Sequence, residues 1–130
     1  MNEESNPITV LIADDDLDLI HGLCRRMRKS GFNLILAMDG YQAVSLTRKH
    51  EPDVIVLDIN MPAGDGFSVI ERVHELQTKK DAPIICITGE RTARIIDRCG
   101  ELGAYAVLYK PFDTQDLIET IRQAMAGQGV

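Results

Sequence analysis

The sequence has no tryptophan, only three Tyr and three Phe residues, and no apolar run that approaches the ~20 residues of a membrane helix. Residues 1–7 lack the basic and apolar blocks of a signal peptide. Lys and Arg number 14 against 20 Asp and Glu, so the net charge is −6, which repels a nucleic-acid backbone. These shortages predict a cytoplasmic protein with no membrane segment and no direct nucleic-acid binding.

Cysteine is also scarce. Cys24, Cys86 and Cys99 are an odd number without C-x-x-C spacing, and no histidine lies at a zinc-ligand offset from them. We therefore expect three reduced thiols, with Cys86 as a small buried hydrophobic residue.

What the sequence does contain is a repeating pattern. Five short apolar runs predict strands, and the segments between them have helical spacing. The strands are predicted at Ile8–Ala13, Leu34–Met38, Val54–Leu57, Ile84–Thr88 and Tyr105–Tyr109. We expect one domain over residues 8–126, with a flexible N-terminal tail over 1–7 and a C-terminal tail over 127–130.

The runs are mostly continuous rather than alternating, as in a parallel sheet that is covered on both faces. Strands that alternate with helices through short connections predict an α/β three-layer sandwich. Five strands suit the flavodoxin-like order 2-1-3-4-5 with five helices, and ligands then bind at the carboxyl ends of the strands.

The helix patterns predict which residues face the sheet. In the first helix these are Leu17, Ile20, Cys24 and Met27, with Asp16 as N-cap. In the fourth helix they are Ala93, Ile96 and Cys99, and in the last helix Leu117, Ile121 and Met125.

Acidic residues follow two strands that this topology makes neighbours. Asp14, Asp15 and Asp16 end the first strand, and Asp58 ends the third. Carboxylates so close together raise one another's pKa, and a hard divalent cation with oxygen ligands relieves the repulsion. The acids therefore predict a Mg²⁺ site, while Asp16 also suits a plain N-cap.

Thr88 and Lys110 end the fourth and fifth strands at the same edge. A hydroxyl, an ammonium and a cation around one carboxylate suit phosphoryl transfer, whose transition state spreads negative charge over three oxygens. Asp58 is the best-placed nucleophile, since carboxylates can form acyl phosphates. Either Thr88 or Lys110 alone would be an ordinary strand or surface residue.

Four segments together resemble the receiver domain of two-component response regulators, from Ile8 to Met125. Val10–Asp16 resembles its first strand and acidic pair, and Asp58–Gly66 its phosphoacceptor loop. Thr88-Gly89 and Lys110-Pro111-Phe112 complete the set in order, each at the end of a strand.

The resemblance implies Asp58 as phosphoacceptor, Asp15 as direct Mg²⁺ ligand, Asp14 as a ligand through water and the Asn60 backbone carbonyl as a further ligand. Thr88 and Lys110 would contact the phosphoryl oxygens. A sensor histidine kinase or histidine phosphotransfer protein would be the donor, with small acyl phosphates as substitutes. A downstream protein effector or an attached output domain would read the signal, and phosphorylation-dependent dimerisation is open.

The resemblance also implies a signalling phosphoacceptor that promotes its own phosphorylation and dephosphorylation, rather than an enzyme with a separate substrate. Asn60 and Glu90 resemble the pair in fast-responding chemotaxis regulators, which implies a short-lived phosphoryl group. The family often has an aromatic residue where this chain has Val107. Tyr105 and Tyr109 share its strand face and could replace that aromatic or pack in the core.

Two other functions remain as alternatives. The first is a Mg²⁺-dependent phosphohydrolase whose nucleophile is an acid between Asp14 and Asp16. The chain lacks the cap insertion and the later acidic motif that such hydrolases have. The second is a receiver-like docking module that never carries phosphate, against which the intact acids, Thr88 and Lys110 argue.

Overall fold

The computed structural model describes residues 7–61, 65–76, 78 and 81–128. Within these ranges, strands and helices alternate as five βα units. The strands are β1 (Thr9–Ala13), β2 (Asn33–Ala37), β3 (Val54–Asp58), β4 (Ile84–Thr88) and β5 (Ala106–Tyr109). The helices are α1 (Leu17–Lys29), α2 (Gly40–His50), α3 (Gly66–Glu75), α4 (Ala93–Glu101) and α5 (Thr114–Gln128).

The five strands form one sheet in the order β2-β1-β3-β4-β5, and every neighbouring pair is parallel. This confirms the predicted flavodoxin-like topology. Strands β3 and β4 are buried along their whole length because helices cover both faces of the sheet.

Two apolar clusters pack the helices against the two faces of the sheet. Ile20, Met27, Leu117 and Ile121 bring α1 and α5 against one face of the sheet. On the other face, α2, α3 and α4 pack through residues that include Ala43, Ile70, Ile95 and Cys99. The sheet is thus held between two helices and three helices.

Short polar side chains fix where four helices begin. The side chain of Asp16 accepts a hydrogen bond from the backbone N–H of Leu19, which confirms it as the N-cap of α1. The equivalent residues for α2, α3 and α4 are Asp39, Asp65 and Thr92. Gly31, at φ 92°, supplies the left-handed backbone that turns the chain from α1 into β2.

Two predicted helix faces are wrong in part. Leu17 is 54% exposed, and α1 is buried through Leu23 instead, together with the other residues predicted. Ala93 is exposed and Ile96 is 43% exposed, because α4 turns Ile95 and Cys99 toward the sheet. Both faces of α4 have helical spacing, so only packing against the sheet selects one.

The ends of the chain lie partly outside the described residues. Residues 1–6 of the predicted N-terminal tail and residues 129–130 of the C-terminal tail are among the undescribed ones. Helix α5 continues through Gln128, so residues 127 and 128 extend the helix beyond the boundary predicted at 126. Intrahelical hydrogen bonding continues where the sequence pattern has become polar and glycine-containing.

Among the helices in the described part of the chain, none is long and apolar enough to cross a membrane. Cys24, Cys86 and Cys99 are buried and form no disulfide. Burial raises the pKa of the Cys86 thiol far above its ordinary value, so this residue behaves as the small hydrophobic side chain that its apolar strand predicts.

Candidate functional site

Three carboxylates meet at the carboxyl end of the sheet. Ala13 of β1 pairs with Leu57 of β3, so the acids that follow both residues lie side by side. One oxygen each from Asp14, Asp15 and Asp58 lies within 4.8 Å of the others. Asp14 is fully buried, Asp58 is 4% exposed and Asp15 is open to solvent. The structure therefore brings together the two acidic stretches that the sequence keeps 43 or more residues apart.

A backbone N–H holds one oxygen of each buried acid. Asp16 N donates to Oδ1 of Asp14 at 2.9 Å, and Asn60 N donates to Oδ1 of Asp58 at 3.0 Å. Each bond spans two residues, which is the turn geometry that aspartate favours after a strand. Both side chains are thereby fixed with their Oδ2 atoms left for other contacts.

Lys110 meets both of those Oδ2 atoms. Its Nζ lies 2.8 Å from Oδ2 of Asp14 and 3.2 Å from Oδ2 of Asp58. The backbone N–H of Lys110 donates to the carbonyl of Thr88 at 2.8 Å, which continues the pairing of β5 with β4 past the last strand residue. The Lys110–Pro111 peptide bond is cis.

One buried oxygen in this crevice lacks a hydrogen bond. Asp14 Oδ2 contacts Lys110 as an ion pair only and has no hydrogen-bond partner. The Lys110 ammonium already offsets the charge of this oxygen, but it is shared with Asp58, so three carboxylates face one positive charge. The donor set, which consists of carboxylate oxygens, is the kind that Mg²⁺ prefers. The residues present therefore fit a divalent cation.

The electrostatics of Asp58 and Lys110 follow from this crowding. Burial raises the pKa of Asp58, and the charge of Asp14 raises it further, against the opposing effects of Asn60 N–H and Lys110. Burial lowers the pKa of Lys110, but the carboxylates Asp14 and Asp58 outweigh that effect and raise it overall. Lys110 therefore stays charged, while one of its partners is harder to ionise than an ordinary aspartate.

The remaining predicted residues border the same crevice. Thr88 is fully buried at the end of β4, directly after Ile87, which pairs with Asp58. Its Oγ1 accepts a hydrogen bond from the backbone N–H of Glu90 at 3.0 Å. The side chains of Asn60 and Glu90 are exposed. Residues 62–64 of the quoted phosphoacceptor loop lie outside the described residues.

Val107 occupies the position where the family often has an aromatic residue. Val107 is partly buried in the cluster beneath α4. Tyr105 is 48% exposed, so the core role considered for it is wrong. Tyr109 is half-buried, and the guanidinium carbon of Arg91 lies 4.6 Å from the centre of its ring. Because Arg91 is a loop residue with no periodic pattern, the sequence carries no signal for this contact.

Gly66 is a second residue whose role was not predicted from the sequence. A Cβ at this position would lie 2.5 Å from Cα and 2.9 Å from the carbonyl oxygen of Ile59. Gly66 N also donates to that carbonyl at 3.0 Å. The first turn of α3 is thus held against the residue that follows Asp58, and the Asp-Gly pair at 65–66 is its sequence signal.

Comparisons with known proteins agree with this geometry. Residues 10–122 match the family described as response regulator receiver domain. The transcriptional regulatory protein PdtaR of Mycobacterium tuberculosis is 36% identical over 121 residues, which cover 92% of this chain and 58% of that protein. PrrA of Mycobacterium bovis is 37% identical over 92% of this chain and 51% of its own length. The chain thus spans little more than half the length of these relatives.

Solved structures show the same fold. A CheY-like receiver domain protein from Methanospirillum hungatei superposes with a TM-score of 0.89 at 22% identity, over 95% of this chain and 98% of that one. The chemotaxis response regulator CheY4 of Vibrio cholerae superposes with a TM-score of 0.85 at 28% identity, over 92% and 99% of the two chains. The chain therefore belongs to the response regulator receiver domain family, and its fold and acidic crevice fit a phosphoacceptor of two-component signalling.

Proposed function

We propose that Asp58 is the residue that accepts the phosphoryl group, and that a phosphohistidine of a sensor kinase or phosphotransfer protein donates it. The observation that carries this proposal is the position of Asp58. It is a nearly buried carboxylate whose Oδ2 lies 3.2 Å from the Lys110 ammonium and whose neighbours are two further acids. This chemistry needs a fixed nucleophile with positive charge beside it, which Lys110 supplies and which the two further acids could supply by holding a cation.

In the transfer, an oxygen of Asp58 forms a bond to phosphorus as the N–P bond of the phosphohistidine breaks. The imidazole nitrogen leaves with the electrons of that bond. The hydrogen bond from Asn60 N keeps the Asp58 side chain oriented. Burial raises the pKa of Asp58, while the charge of Lys110 favours the ionised form, which is the nucleophile.

Asp15, Asp14, Asp58 and the Asn60 backbone carbonyl would hold Mg²⁺, with Asp14 acting through water. The ion supplies positive charge beside the phosphoryl oxygens when it is bound. Asp15 is the exposed member of the set and is open to an arriving ion, whereas Asp14 offers the buried oxygen that lacks a hydrogen bond. The excess of carboxylates over the single Lys110 ammonium is the feature of this chain that supports the assignment.

Thr88 and Lys110 would bind the phosphoryl oxygens, Thr88 by its hydroxyl and Lys110 by its charge. Asn60 and Glu90 would tune the lifetime, because their exposed side chains follow Asp58 and Thr88 by two residues, near where water must approach the acyl phosphate. A short-lived phosphoryl group follows. In this role the domain promotes its own phosphorylation and dephosphorylation and does not turn over a separate substrate.

The partners belong to the proposal as well. A protein effector or an attached output domain would read the phosphorylated state. The relatives named transcriptional regulatory proteins are longer than this chain, so their output lies beyond the span compared. The −6 charge supports a domain that makes no direct contact with nucleic acid. The family assignment also supports a cytoplasmic location, and dimerisation on phosphorylation is an outcome to be measured.

The phosphohydrolase alternative would need an acid of the first cluster as nucleophile. Asp14 is fully buried, whereas Asp58 keeps some exposure, and Asp16 accepts the N-cap hydrogen bond of α1. Asp15 is exposed but has no ion pair with Lys110 among the contacts of the described residues. These contacts favour Asp58.

The test is to incubate the chain with a small acyl phosphate and Mg²⁺ and to follow its intact mass. The expected result is one added phosphoryl group that is cleaved by hydroxylamine and maps to Asp58. Asp58→Asn should remain unmodified, whereas the control Asp16→Asn should still be modified. Label on Asp14 or Asp15, or steady hydrolysis of a phosphate ester, would instead support the hydrolase. A chain that is never modified would support the docking module.

A further inference from the structure

Arg91 and Tyr109 form a contact between two segments that carry site residues. Arg91 lies in the four-residue connection between β4 and α4, and its guanidinium carbon is 4.6 Å from the centre of the Tyr109 ring. A guanidinium over a tyrosine ring at this distance is an attractive cation–π pair. Arg91 is exposed and Tyr109 is half-buried, so the pair lies at the surface.

Each member of the pair adjoins the site. Tyr109 pairs with Thr88 across β4 and β5, and it directly precedes Lys110. Arg91 directly follows Glu90, whose N–H donates to Thr88 Oγ1 at 3.0 Å. The contact therefore closes a ring that runs from Thr88 through the connection to Arg91, across to Tyr109, and back through the strand pairing.

That ring determines how the Thr88 hydroxyl is used. A hydroxyl has one proton to donate and two lone pairs to accept with. Since the Glu90 N–H occupies a lone pair, the hydroxyl proton cannot point at Glu90 N and is left for another acceptor. A connection that is held in place thus keeps the Thr88 hydroxyl free to donate at the carboxyl end of β4.

We propose that Arg91 is a positioning residue, which packs on Tyr109 to hold the connection and thereby keeps the Thr88 hydroxyl oriented toward a phosphoryl oxygen on Asp58. The inference rests on the proposed function of Asp58. Val107 stands where the family often has an aromatic residue, so in this chain Tyr109, two residues later on the same strand face, provides the ring.

The test measures two affinities by titration calorimetry: that of beryllofluoride, an acyl-phosphate mimic, in saturating Mg²⁺, and that of Mg²⁺ alone. Arg91→Gln and Tyr109→Leu should each weaken beryllofluoride binding about two- to five-fold, as the loss of an exposed cation–π pair predicts. Mg²⁺ affinity should stay unchanged, because the acids lie on β1 and β3. The double variant should lose no more than either single variant.

Matched variants separate positioning from general loosening. Tyr109→Phe keeps the ring and should bind beryllofluoride like the parent. Arg94→Gln, in the exposed first turn of α4, makes the same charge change, and Tyr105→Leu removes the exposed tyrosine that directly precedes β5; both should bind like the parent. Upfield ring-current shift of the Arg91 side-chain N–H signals, lost in Tyr109→Leu, should report the contact directly.

The outcomes are distinguishable. Unchanged or tighter beryllofluoride binding in both Arg91→Gln and Tyr109→Leu overturns the positioning role and leaves the proposed function intact. A parallel loss of Mg²⁺ affinity also overturns it, because the effect is then general. If the parent itself binds no beryllofluoride in Mg²⁺, the proposed function fails and the inference fails with it.

Discussion

The ammonium of Lys110 lies 2.8 Å from Oδ2 of Asp14, a buried oxygen that has no hydrogen bond. The same Nζ is 3.2 Å from Oδ2 of Asp58. One positive charge is thus shared between two carboxylates, and the crevice keeps an excess of negative charge. Much of the behaviour that can be measured on this domain follows from that imbalance.

Removing the shared cation should destabilise the domain at neutral pH. Lys110→Met leaves two buried acids facing each other, and we expect a loss of about 1–3 kcal/mol in the free energy of unfolding, below the cost of a fully buried pair because Lys110 is 25% exposed. Lys110 also lowers the pKa of Asp58, so its loss should raise that pKa further.

The raised pKa also determines how the stability loss of Lys110→Met changes with pH. A raised carboxyl pKa means that the folded state binds a proton more readily, so the deficit of Lys110→Met should shrink as pH falls from 7 toward 5. Urea unfolding at both pH values checks this. Lys29→Met, on the exposed end of α1, is the control and should change little at either pH. A deficit that is equal at the two values would contradict the shared-charge account.

Mg²⁺ should stabilise the folded chain, and Asp15 should be needed for it. An ion that binds only the folded state at 100 times its dissociation constant adds about 2.7 kcal/mol. Asp15→Asn should abolish the Mg²⁺-dependent rise in melting temperature, while its metal-free stability stays within about 0.5 kcal/mol of the parent because Asp15 is exposed. Asp16→Asn retains an N-cap residue and should keep the response. An equal response in both variants would exclude Asp15 as a ligand.

A methyl group added at Gly66 should destabilise the folded domain, whereas one added at Gly22 should stabilise it. The added carbon at Gly66 would lie 2.5 Å from Ile59 Cα, so Gly66→Ala must shift backbone next to Asp58 and should cost about 1–3 kcal/mol. Gly22, inside α1, has nothing within 4 Å of the same position, and Gly22→Ala should stabilise by about 0.5–1 kcal/mol. Thermal unfolding of the two variants measures the contrast. Similar values for both would show that the Ile59 contact relaxes freely.

Asp65 should stabilise α3 only while it is ionised. The Ser68 backbone N–H lowers the pKa of Asp65, so its contribution is present above the unfolded-state pKa of about 3.9 and is lost as pH falls through the lower folded value. At pH 7, Asp65→Ala should cost about 0.5–2 kcal/mol, and the difference from the parent should narrow below pH ~4. Asp65→Asn, which can still cap, should lose less. A pH-independent deficit would contradict the ionised cap.

Much of the fold was predictable because it depends on local patterns. Each of the five strands begins and ends within one residue of its predicted bounds. The reason is that a continuous apolar run between polar turns marks both ends of a buried strand. The helix start at Asp16 is local as well. The buried face of α4 was not predictable, because Ile95 and Ile96 are both apolar and only the sheet beneath selects between them.

For the site, the sequence by itself determined which residues end which strands, and parallel topology then brings Asp14, Asp58, Thr88 and Lys110 to one edge. The tertiary structure alone decided that Lys110 bridges two acids, that one Asp14 oxygen has no hydrogen bond, and that Arg91 lies over Tyr109. The physical reason is that strand ends follow from periodicity along the chain. Atomic contacts depend on where side chains from separate strands meet in space, which no pattern along one segment encodes.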